Sequence, residues 1–185
     1  DNPDSGGNFP VDADQLAMQL QALGVWPVEK LYHPTDPVRS TLTRSETWET
    51  GLITFSGHGS ATQLGTNSEK FINVTDARAL RNSAYPVFLA LTCAAGDDSL
   101  PGTRSLTSAL VLNPAGGAIA SLGASGLSFN ADAHVLANAF LEHFYQGRHT
   151  IGDALVGAKQ DTPGQISEFL TPLYSIIGDP AVYPW

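Results

Sequence analysis

The chain has 185 residues, enough for a domain with one buried core, and 42% of them are hydrophobic, which excludes a disordered polymer. A formal net charge of -9 with only nine Lys and Arg leaves no electrostatic footprint for nucleic acid. The single cysteine excludes an internal disulfide, and no apolar run is long enough to span a bilayer as a helix.

In chain order, "DNPDSGGNFP" opens without Met or an apolar run, so a first strand is expected upstream of Asp1 or missing from the chain. The spacing of Leu16, Leu20 and Leu23 predicts a helix over 13–23, capped by Asp12 with Gln15 three residues on. "VEKLY" (28–32) and "LITFS" (52–56) read as strands, and Thr75 caps an expected helix over 76–82. "LITFS", with "VFLALT" (87–92) and "AIASLG" (118–123), is apolar almost throughout, as strands of a mostly parallel sheet covered on both faces are. Ser105 caps a helix over 106–112, which stops at "NPAGG". Residues 131–146 form the longest helical pattern, and Thr150 with Asp153 opens a helix over 151–159. Strands alternating with helices define an α/β fold with a mostly parallel sheet.

In such sheets ligands bind beyond the carboxyl ends of the strands. Two strands here end in reactive residues: 52–56 runs into "SGHGS" and 87–92 into "TCAAGDD". If these strands are parallel neighbours, His58 and Cys93 share one rim. A thiol attacks as thiolate, and an adjacent imidazole takes its proton or stabilises the anion. Glycines beside His58 leave room for a substrate backbone and free an N–H for an oxyanion. A lone cysteine is more often a small buried hydrophobe, and the rim histidine is what lifts Cys93 above that. Other chemistries fit less well. "GASGL" breaks the G-x-S-x-G elbow at Leu127, and "NPAGGAIA" lacks a phosphate-loop lysine. The remaining histidines share no metal-ligand spacing with Cys93, so His134 and His143 read as surface or flank residues. The acidic turns "DNPDSGG" and "DADQ" do not follow the EF-hand spacing.

"GLITFSGHGS", "VFLALTCAAGDD", "SLTSALVLNPAGGAIASLGASGLS", "TIGDALVGAK" and "LYSIIGDPAV", taken in order, resemble the gingipain-type cysteine peptidases of the caspase-like clan. The resemblance covers nearly the whole chain. It implies a caspase-like three-layer α/β/α sandwich, with residues 1–185 as the catalytic domain of a longer protein. It implies a cysteine endopeptidase with His58 and Cys93 as the dyad and the N–H groups of Gly59 and Cys93 as the oxyanion hole. The implied partner is a polypeptide substrate, together with an upstream segment or prodomain of the same precursor. No cofactor is required, a structural calcium is allowed, and the location is secreted or at the cell surface. Asp97 and Asp98, just past the nucleophile, are candidates for binding a basic substrate side chain, although Asp is also a common turn residue. Asp1, Asp4 and Glu49 are candidates for the group that orients the histidine. The competing readings are a catalytically silent scaffold of the same fold and a small-molecule hydrolase on a generic α/β sheet.

Overall fold

In the computed structural model, which describes residues 1–184, a four-stranded sheet runs in the order β1-β5-β6-β7. β1 (Leu52–Ser56), β5 (Val87–Leu91) and β6 (Ala120–Ala124) are parallel, and β7 (Tyr174–Gly178) closes one side antiparallel to β6. The apolar runs form the central strands because strand side chains alternate between two covered faces. On β5, Val87, Leu89 and Leu91 enter one core, while Phe88 and Ala90 enter the other.

The first core lies under α1 (Phe9–Ala22), α5 (Asn130–Leu141) and α6 (Ile151–Asp161), which supply Leu16, Leu136, Phe140 and Leu155. The second lies under α2 (Val38–Leu42), α3 (Val74–Ala79) and α4 (Leu106–Val111), with Trp48 fully buried among them. The result is the expected α/β/α sandwich. A small antiparallel sheet, β2 (Gly59–Ser60), β3 (Gln63–Gly65) and β4 (Lys70–Asn73), sits within the crossover from β1 to β5. A short α7 (Leu170–Leu173) leads into β7.

Local chemistry sets most helix starts. Ser105 accepts the Ser108 N–H at 3.2 Å and Thr150 accepts that of Asp153 at 3.1 Å, as expected. α3 begins earlier than expected: Asn73, not Thr75, is its cap, and Asp76 returns the bond to complete a capping box. α1 also begins earlier, at Phe9 with Pro10 in its first turn. Asp12 therefore lies inside the helix and accepts Asn130 Nδ2 at 2.6 Å. The expected strand at 28–32 does not form. Its residues take no regular secondary structure, no strand among the described residues pairs with them, and Lys30 and Tyr32 are tied instead to Asp14. α5 ends at Leu141 and continues as one wide turn over 142–146.

Candidate active site

β1 and β5 are paired up to Ser56 and Leu91. Two residues further along each strand come His58 and Cys93, on neighbouring strands that lie about 4.8 Å apart where they pair. The loops stay in contact beyond the ladder: a Cβ placed on Gly59 would lie 2.6 Å from Thr92 Oγ1. The fold thus brings the two residues to one rim.

The imidazole half is built from the N-terminal loop. Asp4 Oδ2 bonds His58 Nε2 at 2.6 Å, and Asp1 Oδ2 accepts the His58 backbone N–H at 3.1 Å. Of the three acidic candidates, Asp4 therefore contacts the ring. Glu49 is far away in role, bonded to the N–H and hydroxyl of Ser83. The imidazole bond, with the Gly6 N–H second, holds the Asp4 carboxyl below its usual range. Phe9 packs edge-on against the ring with centroids 5.3 Å apart. Gly6 lies close under the ring, where a Cβ would sit 3.0 Å from His58 Cε1.

Gly59 has a peptide orientation that matters. Gly65 N donates to His58 O at 2.7 Å, so the alternation of an antiparallel ladder turns the Gly59 N–H away from β3. Among the described residues, no backbone acceptor takes the Cys93 N–H either.

The thiol half rests on buried structure. Ala94 has φ 53°, a left-handed conformation uncommon for a residue with a side chain, which turns the chain sharply just after Cys93. Backbone bonds from Ala94 N to Gly126 O (2.8 Å) and Gly96 N to Ala124 O (2.9 Å) hold that turn against the end of β6. Ser128 N donates to Cys93 Sγ at 3.4 Å, and the thiol reaches Ser128 O at 3.6 Å. The Ser128 hydroxyl pairs with Tyr174 Oη at 3.0 Å. Burial pushes the Tyr174 phenol up to about 12, so it remains a neutral hydroxyl there. Ser128 and Tyr174 were not singled out from the sequence. The strand-end rule used for β1 and β5 applies equally to "SGLS" after β6 and would have found Ser128.

Asp97 and Asp98 are engaged in their own loop. Asp97 Oδ1 accepts the Ser99 N–H at 2.9 Å. Asp98 accepts the Ser105 N–H at 2.7 Å and the Ser108 hydroxyl, bracing the start of α4. His134, expected at the surface, is 7% exposed and bonds Ser56 Oγ at 2.6 Å, fastening α5 to the end of β1. Burial holds its imidazole below its usual range. His143 does lie on the outside, paired with Asp161 at 2.7 Å. No group of three or more His, Cys, Asp or Glu converges among the described residues. The acidic N-terminal loop does not fit a calcium ion, since Asp1 and Asp4 direct their oxygens at His58 and at their own loop's N–H groups.

The class the fold defines is an α/β/α sandwich that carries a thiol and a carboxylate-bound imidazole at one rim of its sheet. The sequence profile of Peptidase family C25 matches residues 6–185, and the chain belongs to that family. The fold is that of gingipain R, an Arg-specific cysteine proteinase, with a TM-score of 0.83 at 18% identity over 99% of this chain. The complex of the Porphyromonas gingivalis RgpB pro- and mature domains superposes at 0.79 with 19% identity over 96%, and a structure described as a protease at 0.70 with 18% over 94%. The chain spans 44% of each of these solved chains. Comparison with curated proteins gives no match. No helix among the described residues is long and apolar enough to cross a membrane.

Proposed function

We infer that the protein is a cysteine endopeptidase, with Cys93 as nucleophile and His58 as general base and acid. The observation that carries this reading is the 2.6 Å bond from Asp4 to His58 Nε2 at the rim that also presents Cys93. A carboxylate on one ring nitrogen fixes the tautomer and leaves Nδ1 for the thiol proton. The Cys93 sulfur then attacks the scissile carbonyl carbon, and the carbonyl electrons move to oxygen. The N–H groups of Gly59 and Cys93, both free of the neighbouring ladders, support an oxyanion. Collapse of the adduct expels the amine, which takes its proton from His58. Water, deprotonated by His58, releases the acyl group and restores the thiol. The Ser128 N–H favours the anionic sulfur by donating to it.

The substrate is a polypeptide, and secretion or surface display belongs to the same proposal through family membership. Asp98 uses both carboxylate oxygens at the start of α4, whereas Asp97 uses only Oδ1 within its loop, so Asp97 is the carboxylate this reading assigns to a basic substrate side chain. Replacing Cys93 by Ala tests the whole: cleavage of a fluorogenic peptide library should fall by roughly 10⁴-fold or more. A variant that cuts as the parent does removes Cys93 from the reaction. A parent that folds, binds peptide and cleaves nothing is the silent scaffold.

A further inference from the structure

Buried hydroxyl groups in folded proteins find a hydrogen-bond partner as a rule. Thr92 breaks that rule: it is 4% exposed, and no group among the described residues bonds its Oγ1. Ser121 shares the condition, but it lies mid-strand on β6 beside Phe88, whereas Thr92 is the residue before Cys93. Partners for hydroxyls do exist nearby, since Thr107 Oγ1 reaches Ala95 O at 2.8 Å and Ser105 caps α4.

Alternation along β5 sends Val87, Leu89 and Leu91 to one core and Phe88 and Ala90 to the other. Thr92 continues the second set and Cys93 the first. The Thr92 side chain therefore meets the chain leaving β1, and the residue it meets is Gly59. A Cβ placed there would lie 2.6 Å from Thr92 Oγ1 and 2.9 Å from its Cγ2. Gly59 and Cys93 carry the two N–H groups assigned above to the oxyanion. One threonine thus touches the first of these residues and is bonded to the second. A valine would fill the same space with nothing left unpaired, so the hydroxyl weakens the resting fold. That is the pattern of a group whose partner arrives during the reaction.

We propose that the Thr92 hydroxyl is an electrostatic support of the oxyanion site, acting across the Gly59 and Cys93 peptide groups that hold the oxygen. Bonded to nothing at rest, the O–H turns without breaking a bond. Its dipole aligns with the negative charge that develops on the carbonyl oxygen, and no proton is transferred. The neutral substrate gains nothing from this alignment and the charged adduct does, so the effect falls on kcat and not on KM. This role rests on the peptidase reading and adds to it a group outside the thiol, the imidazole and the two N–H groups.

The test uses Thr92→Val and Thr92→Ser in this chain, with kcat and KM for a fluorogenic peptide, the pH–rate profile and urea denaturation. Thr92→Val should lower kcat about tenfold at unchanged KM, keep the shape of the pH–rate profile, and be as stable as the parent or more so. Thr92→Ser keeps the hydroxyl and should retain kcat within about twofold, although it is the less stable of the two. A purely structural role gives the reverse order, with Ser losing more activity than Val. Parent-like kcat in Thr92→Val overturns the proposal, as does an equal fall in both variants. A Thr92→Val chain that is less stable than the parent, or does not fold, also overturns it, since the hydroxyl then has a partner in the resting fold. A parent that cleaves nothing overturns the peptidase reading itself and this role with it, an outcome seen before either variant is made.

Discussion

The two halves of the rim are built differently. Cys93 follows a strand buried along its whole length, and its loop is bonded to β6, to Ser128 and through it to Tyr174, which is fully buried. His58 follows the edge strand, and its partners are a loop of eight residues rich in Asp and Gly, with the His58 and Asp4 side chains 39% and 45% exposed. A thiol placed by the core is hard to misplace. An imidazole placed by a surface loop depends on whatever anchors that loop, and here the anchor is Asp1, bonded to Ser56 O and the His58 N–H.

Four substitutions or conditions sharpen this contrast. The largest effect is expected from Asp4→Ala, which removes the positioning carboxylate: kcat should fall by roughly 100-fold with KM little changed, and the pH–rate profile should shift. An equal loss in KM would make Asp4 a substrate contact instead. Between the halves, Gly59→Ala places a methyl on Thr92, whose Oγ1 and Cγ2 lie 2.6 and 2.9 Å from its Cβ. Overpacking of that kind costs about 1–3 kcal/mol, measurable by urea denaturation, with loss of activity as the Gly59 N–H moves. On the thiol side, Tyr174→Phe leaves the Ser128 hydroxyl unpaired and should cost about 1 kcal/mol of stability. Cleavage should survive it, because the Ser128 N–H still reaches the sulfur.

The smallest effect concerns pH. The folded pKa of His134 is depressed below 6.5 by burial, so the unfolded chain binds a proton first as pH falls. Its contribution to stability is therefore present above about pH 6.5 and is lost on acidification below it. Stability measured from pH 7 to 5 should decline less steeply in His134→Gln than in the parent. Asp4 behaves at a lower pH: its depressed pKa preserves the imidazole pairing above the normal carboxylate range, and the pairing is lost only in stronger acid.

The central strands and the caps were legible because their causes are local. Apolar runs at 52–56 and 87–92 have nowhere to go but a covered sheet, and Ser105 and Thr150 satisfy N–H groups three residues away. The helix at 74–79 was placed slightly late because Thr75 resembles a cap as well as Asn73 does, and only the return bond from Asp76 decides. "VEKLY" has a strand's composition, yet a strand exists only where a neighbour offers a ladder. "LYSIIG" was passed over as a strand because its pairing partner, β6, is fifty residues away in sequence.

By itself, then, the sequence determined the α/β class and that His58 and Cys93 each follow a central strand, since periodicity, capping and chemical type are properties of short stretches. Tertiary structure alone decided that Asp4 rather than Glu49 meets His58, that His134 is buried against Ser56, and that Ser128 and Tyr174 stand behind the thiol. Each of those bonds joins residues dozens of positions apart, and hydrogen bonds at 3 Å depend on how strands and helices stack, which no local pattern encodes.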